Sequence, residues 1–208
     1  LENLAWIGPR ALRHEEAIIA AMRTSPVLPA RFGTIFSSEG ALASSLKEHG
    51  DIISRFFVET AGRSEWLLKG YVNREQARSG ALAVRLEEEK DQLAGLTPGK
   101  RYVLEHRIKG TVDREMASWL RRTAEDVMRP IREESWAYRD GRLFGKEVPG
   151  GDEEMFFHGA LLIPEGAVEM LRRMTAEWNA LHGPRGIFFG LSGPWPPYHF
   201  APALGTKT

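Results

Sequence analysis

The sequence predicts an α+β protein of two domains, the second a ferredoxin-like, or split βαβ, antiparallel sheet with its helices on one face. From residue 65 onward, alternating apolar segments and segments of helical periodicity follow each other in the order β-α-β-β-α-β. Before that point the pattern indicates several helices but a single strand, which is too few to form a sheet. We therefore divide the chain into a first domain, residues 1–62, a second domain, residues 63–203, and a tail, residues 204–208.

The first domain begins with a helix over residues 10–24, where apolar side chains recur at helical spacing after Gly8-Pro9. Pro26 ends this helix, and residues 27–36 are a strand candidate with Pro29 at an edge-like position. Because a lone strand needs a partner, it must pair with the rest of the chain or with residues upstream of Leu1. We expect the first domain to be truncated at its N-terminus.

Two more helices complete the first domain. Ser37 or Ser38 is a suitable N-cap for a helix that reaches about His49. Asp51 is a suitable cap for the next helix, which buries an apolar face and ends at Gly62.

The second domain begins with residues 65–72, where Trp66, Leu68 and Val72 alternate with more polar residues, as in a half-buried strand. Residues 74–99 read as a charged helical insertion. A long helix over residues 100–131 carries one continuous apolar stripe that can pack on a sheet.

The remaining elements are delimited by proline and glycine, which interrupt helices and strands. In chain order they are a strand at 135–138, a turn at Asp140-Gly141, a flexible connection at 148–152, a buried strand at 155–163, a helix from Pro164 to Gly183-Pro184, and a strand at 187–191.

Composition excludes several functions. The 28 basic and 28 acidic residues give no net charge, which argues against a nucleic-acid partner. A partial match of residues 185–189 to an RNA-stacking motif lies on the fourth strand rather than the third, and a buried strand explains it better. No apolar run approaches the roughly 20 residues of a membrane span. Cysteine is absent and no charged-then-apolar leader opens the chain, so we expect a cytoplasmic protein.

No catalytic, metal or cofactor motif is complete. His14-Glu15 lacks the second histidine of a zinc-protease helix, because Ile18 occupies that position. Ser192 lies in half of a nucleophile elbow, but Pro194 and the prolines after it prevent the helix that must follow. We therefore predict no enzymatic activity, no metal and no cofactor.

The C-terminal segment over residues 190–200 is rigid and aromatic. Its prolines exclude a helix and a central strand, and its aromatic rings are unfavourable to expose. It can pin itself on the core of its own chain, which we favour, or serve as an interface for another protein. The predicted structural residues are Gly193, Pro194, Trp195, Pro196, Pro197 and Tyr198.

Arg31, Glu65 and Lys69 are the polar residues with the least obvious structural role. Arg31 lies among apolar residues, so its guanidinium either extends to solvent or pairs with a carboxylate, for which Glu65 is a candidate. A structural ion pair is favoured over a ligand site, because such pairs are more often structural.

Several segments resemble the gas vesicle protein GvpL/GvpF family. Residues 192–200, Ser-Gly-Pro-Trp-Pro-Pro-Tyr-His-Phe, resemble its C-terminal signature, and residues 28–34, Leu-Pro-Ala-Arg-Phe-Gly-Thr, resemble an upstream segment. Glu65-Trp66 with Lys69 is similar to its Glu-Trp-x-x-Lys strand, and the helix with His14-Glu15 has a counterpart as well. Together these motifs span nearly the whole chain in the family's order.

The resemblance implies a non-catalytic accessory protein of gas vesicle assembly that acts as an adaptor or chaperone-like binder of the small, very hydrophobic shell protein. It also implies contacts with other gas vesicle accessory proteins and a location in the cytoplasm and on the vesicle. An alternative is a small-molecule-binding or catalytic ferredoxin-like domain that uses Arg31, Glu65 and Lys69. The predicted partner-binding residues are Arg31, Phe32, Gly33, Thr34, Glu65, Trp66 and Lys69.

Overall fold

The computed structural model describes residues 4–134, 137–141 and 153–204. The predicted connection at 148–152 and tail residues 205–208 lie outside this part of the chain, as do Ser135 and Trp136 of the third predicted strand. In chain order the elements are α1 (Leu4–Met22), α2 (Glu39–Glu48), α3 (Gly50–Thr60), β1 (Arg63–Asn73), α4 (Arg74–Glu88), α5 (Lys90–Ala94), α6 (Pro98–Glu134), β2 (Ala137–Asp140), β3 (Glu153–Pro164), α7 (Val168–His182) and β4 (Ile187–Trp195).

The strands form one four-stranded antiparallel sheet in the order β2-β3-β1-β4. The predicted α+β class is therefore confirmed. From β1 onward the elements follow in the order β-α-β-β-α-β, with α4, α5 and α6 together in the first helical position. The division into two domains and the ferredoxin-like assignment stay predictions.

The strand predicted at residues 27–36 is wrong, because the structure has no strand there. The backbone turns sharply instead: Thr34 donates its N–H to the Arg31 carbonyl at 3.0 Å, and Gly33 has φ +88°. A positive φ at the third residue is typical of a type II turn, for which glycine is preferred. Pro26 and Pro29 remove two more backbone donors, so this segment is a loop.

The boundaries of two helices differ from the predicted ones. Helix α1 begins at Leu4 and includes Pro9, although we had placed Gly8-Pro9 before its first turn. A proline near the start of a helix removes one hydrogen bond only, so the preceding turn can remain helical. Helix α6 extends by a few residues at each end of the predicted 100–131 segment.

One face of the sheet forms the core with α6 and α7. The predicted alternation of β1 is confirmed, since Trp66, Leu68 and Val72 are all buried. Burial of each such side chain contributes about 1.5–3 kcal/mol, so this face accounts for much of the stability of the fold. The helical side chains of this core are Met116, Leu120, Val127, Met128, Ile131 and Leu171.

Helix α7 also holds the edge strand β4. The Asn179 amide donates to the Phe189 carbonyl at 2.8 Å and accepts from the Phe189 N–H at 2.7 Å. These two bonds satisfy backbone groups of a strand that has a neighbour on one side. The contact fixes the position of β4, from which the C-terminal segment starts.

Candidate functional site

The C-terminal segment leaves the sheet from its edge. Strand β4 continues past the predicted end at Leu191 to Trp195 and includes Pro194, which is tolerated because β4 lies at the edge. Pro196 is fully buried, and the chain then turns, with Ala201 donating to the Pro197 carbonyl at 2.9 Å. The segment therefore docks on its own chain.

Gly193 is the point where this segment meets β1. A Cβ atom at Gly193 would lie 2.7 Å from Cδ2 of Trp66 and 2.9 Å from the Glu65 carbonyl oxygen. Its φ of +152° is also a value that other residues rarely adopt. Only glycine fits here, so the C-terminal signature and the Glu65-Trp66 motif pack directly against each other.

Glu65 is the buried anchor for the end of this segment. The residue is 1% exposed, and its carboxylate accepts hydrogen bonds from the backbone N–H of His199 at 3.0 Å and from Nδ1 of His199 at 2.7 Å. An ionised carboxylate only accepts, so Nδ1 carries the hydrogen. The His199 side chain is 32% exposed, and its ring lies edge-on to His158 of β3 with 6.0 Å between centroids.

The segment crosses the sheet face opposite α6 and α7. Glu65 belongs to β1 and His158 to β3, and the guanidinium of Arg139 on β2 lies 5.7 Å from the Phe200 ring. Residues 196–200 therefore run from the β4 edge towards β2, in contact with each strand. We call this stretch the C-terminal strap.

The strap also holds helix α1. The Tyr198 hydroxyl donates to the Glu15 carboxylate at 2.9 Å. Burial of the phenol, together with this hydrogen bond, raises the pKa of Tyr198 well above its ordinary value. The proton therefore stays on the hydroxyl at neutral pH, and the link between α1 and the strap is maintained.

Helix α1 in turn holds the loop that carries Arg31. Nε2 of His14 lies 3.0 Å from the Ala30 carbonyl oxygen, and the His14 ring is edge-on to Phe32 with 5.7 Å between centroids. The four motifs that carry the family resemblance thus form one chain of contacts, from β1 through the strap and α1 to the loop.

Arg31 lies at a pocket of about 370 Å³ between this loop, helix α2 and the end of the strap. Apolar side chains form most of the wall, including Leu42 and Leu46 of α2. The loop contributes Leu28, Pro29, Ala30, Arg31, Thr34 and Phe36, and the chain after the strap contributes Ala201, Pro202, Ala203 and Leu204.

The seven predicted partner-binding residues fall into two groups. Arg31, Phe32, Gly33 and Thr34 are exposed on the loop, and Lys69 is half-buried on β1, whereas Glu65 and Trp66 are buried beneath the strap. The suggested Arg31–Glu65 ion pair is not formed, because His199 occupies the Glu65 carboxylate. Within the described chain, no hydrogen bond or ion pair joins Arg31, Glu65 and Lys69.

Sequence reasoning missed Glu15 and His199 as partners in this cluster. His199 stands in the signature itself, so a buried acceptor for it could have been sought among the carboxylates. Glu15 had no such signal, because its partner is 183 residues away in sequence.

Two searches of the described ranges, 4–134, 137–141 and 153–204, gave negative results. They contain no group of three or more His, Asp or Glu side chains placed to hold a metal ion. They also contain no helix that is long and apolar enough to cross a membrane.

Comparison with known proteins gives consistent relatives. The chain is 28% identical over 206 residues to "Gas vesicle protein L" of Streptomyces sp. (strain CB03234), covering 97% of this chain and 72% of that protein. It is 25% identical over 207 residues to "Gas vesicle protein L" of Haloferax mediterranei, covering 93% of this chain and 62% of that protein.

Two crystal structures of gas vesicle protein GvpF share the fold. The structure from Anabaena sp. PCC7120 has a TM-score of 0.67 at 16% identity and covers 91% of this chain and 75% of that one. The structure from Microcystis aeruginosa has a TM-score of 0.61 at 17% identity and covers 91% and 76%. The model of the family "Gas vesicle synthesis protein GvpL/GvpF" matches residues 2–202, so the chain belongs to this family.

Proposed function

We propose that the protein is a non-catalytic assembly factor of gas vesicles that binds the very hydrophobic shell protein through the first 58 residues. The carrying observation is where apolar side chains remain exposed. Of the thirteen large hydrophobic residues that are exposed in the described chain, eight lie in this region. They are Trp6, Leu12, Phe32, Ile35, Leu42, Leu46, Ile52 and Val58.

The loop beside the Arg31 pocket is the most exposed part of this surface. Ile35 is 85% exposed and Phe32 is 45% exposed, and both adjoin the pocket-lining residue Thr34. Exposed apolar side chains gathered in one region mark a protein or membrane interaction site. A small apolar subunit would aggregate alone, so a partner that covers its surface could keep it available for assembly.

In this proposal, residues 63–203 form the second, ferredoxin-like domain and serve as scaffold. Glu65 and Trp66 hold the strap, the strap holds α1, and α1 holds the binding loop. The protein acts in the cytoplasm at growing vesicles, together with other gas vesicle accessory proteins, and can remain as a minor vesicle component.

A sedimentation experiment tests the proposal. The shell protein is produced with the full chain, and its soluble fraction and co-elution are measured for the unchanged protein and for Ile35→Asp. A charge at this exposed position should reduce the soluble, co-eluting shell protein several-fold while the fold is retained, because burying an unpaired carboxylate is unfavourable.

Val103→Asp is the matched control. Val103 is 64% exposed on α6, outside the first region, so the same change there should leave binding intact. Circular dichroism checks that both variants fold. The proposal is contradicted if neither the unchanged protein nor the control keeps the shell protein in solution, or if both variants weaken binding equally.

A further inference from the structure

A second cavity lies on the other side of the molecule, in the wedge between α4, α6 and the turn at residues 183–185. Its volume is about 500 Å³, within the 300–1,000 Å³ that is typical of small-molecule sites. Apolar atoms form its floor, with Ala77, Val112 and Met116 buried there and Trp119 half-buried at the side.

Small residues keep the wedge open. On α4 the lining positions include Gly80 and Ala81, and a Cβ atom at Gly80 would meet no other atom within 4 Å. Two ion pairs tie α4 to α6 nearby, between Arg78 and Asp113 at 2.6 Å and between Arg85 and Glu115 at 3.3 Å. The space is therefore bounded by three elements, which suits a compact ligand better than a long helix.

The charge around this cavity is positive. Arg85, Arg122 and Arg185 line it, against Glu115 as the lining carboxylate. Glu115 is already paired with Arg85. Arg122 and Arg185 form no ion pair within the described residues, so two guanidinium groups remain available at the rim of an apolar cavity.

We infer that this cavity binds a small amphiphilic anion, whose apolar body occupies the space beside Trp119 and Met116 and whose anionic head group is held by Arg122 and Arg185. Guanidinium groups suit this role because they form charge-assisted, often bidentate, hydrogen bonds with carboxylates and phosphates. The inference is independent of the proposed shell-protein surface, which lies in the first 58 residues.

Calorimetry of the full chain tests it with three ten-carbon probes of different head group, all kept below their micelle concentrations. Decanoate carries a negative charge, decanol none and decyltrimethylammonium a positive charge. We expect decanoate to bind with one site per chain, decanol to bind about 3- to 10-fold more weakly, and the cationic probe to bind more weakly still.

Variants locate the site. Gly80→Leu places a side chain in the open space and should abolish decanoate binding. Gly110→Leu is the matched control, because Gly110 is also on a helix with no atom within 4 Å of its Cβ position, yet does not line the cavity. It should bind decanoate as the unchanged protein does.

Two exposed arginines provide a second comparison in case Gly80→Leu does not fold. Arg122→Gln should weaken decanoate binding about 3- to 10-fold and leave decanol unchanged, whereas Arg121→Gln, outside the cavity, should affect neither. The inference is overturned if decanoate does not bind, if the cationic probe binds as tightly, or if Arg122→Gln and Arg121→Gln behave alike.

Discussion

The first 58 residues and the sheet region use their apolar residues in opposite ways. In the sheet region, two faces of long helices and one face of the sheet bury their side chains together, including Leu68, Leu161 and Ile187 at zero exposure. In the first region, helices α1, α2 and α3 have Phe56 as their one buried large hydrophobic residue among those described. The comparison teaches that the sheet region stabilises the molecule, whereas the first region presents surface.

The two regions are joined by the C-terminal strap rather than by a shared core. The strap contacts the sheet through His199 and Gly193, and α1 through Tyr198. The predictions that follow change one side of this junction at a time, from the largest expected effect to the smallest.

Glu65→Ala should have the largest effect. It removes both acceptors for His199 and empties a buried position, so we expect the free energy of unfolding to fall by about 2–4 kcal/mol. Urea denaturation measures this loss. Glu16→Ala, at an exposed position on α1, should change it by less than about 0.5 kcal/mol, and equal effects of the two variants would contradict the anchoring role of Glu65.

Gly193→Ala should lower the free energy of unfolding by about 1–3 kcal/mol, because the new methyl group overlaps Trp66 and the Glu65 backbone. Gly166→Ala is the control, since a Cβ atom at Gly166 meets nothing within 4 Å. Thermal unfolding of both variants checks the prediction. A neutral Gly193→Ala would show that the strap does not press against β1.

Tyr198→Phe should cost about 1 kcal/mol, because it removes one hydrogen bond to Glu15 and leaves the ring in place. The loss should be local, so amide hydrogen exchange should increase in α1 and not in β1. Tyr102→Phe, at a residue 69% exposed on α6, is the control. Unchanged exchange in α1 would show that this hydrogen bond does not hold the helix.

His182 gives a smaller, pH-dependent effect in the sheet region. Burial lowers the pKa of His182, and the nearby positive charge of Arg185 lowers it further. The unfolded chain therefore binds a proton at His182 before the folded chain does. Stability from this site is present above about pH 6.5 and is lost as the pH falls through the lowered folded pKa.

Urea denaturation at several pH values between 7 and 5 measures this effect. His182→Asn should lose less stability on acidification than the unchanged protein, whereas His106→Asn, at an exposed residue, should lose as much. An identical acid response in the unchanged protein and His182→Asn would contradict the assignment.

How much the sequence predicts differs between the same two regions. In the sheet region, periodicity alone gives the strands, the long helix and the inward face of β1, because burial imposes a regular pattern on Trp66, Leu68 and Val72. In the first region, residues 27–36 carry apolar residues without such burial. Their strand-like composition therefore misled the prediction, whereas the turn chemistry of Arg31–Thr34 determined the structure.

The contacts of the candidate site were predicted less completely than the motifs that form it. Each motif is visible locally, but the bonds Tyr198–Glu15 and His199–Glu65 connect residues far apart in sequence. Such pairs depend on how the strap crosses the sheet, which no local pattern specifies. The chemistry of Arg31, Glu65 and Lys69 suggested a common site, yet their side chains serve different parts of the molecule.

Hydrogen exchange of the full chain, with and without the shell protein, tests the central claim most directly. We predict that added protection concentrates in the loop at residues 27–36 and in helices α1, α2 and α3, while β1 and β3 exchange as before. Protection confined to α6 and α7, or no protection in the first 58 residues of a chain that does bind the shell protein, would contradict the account.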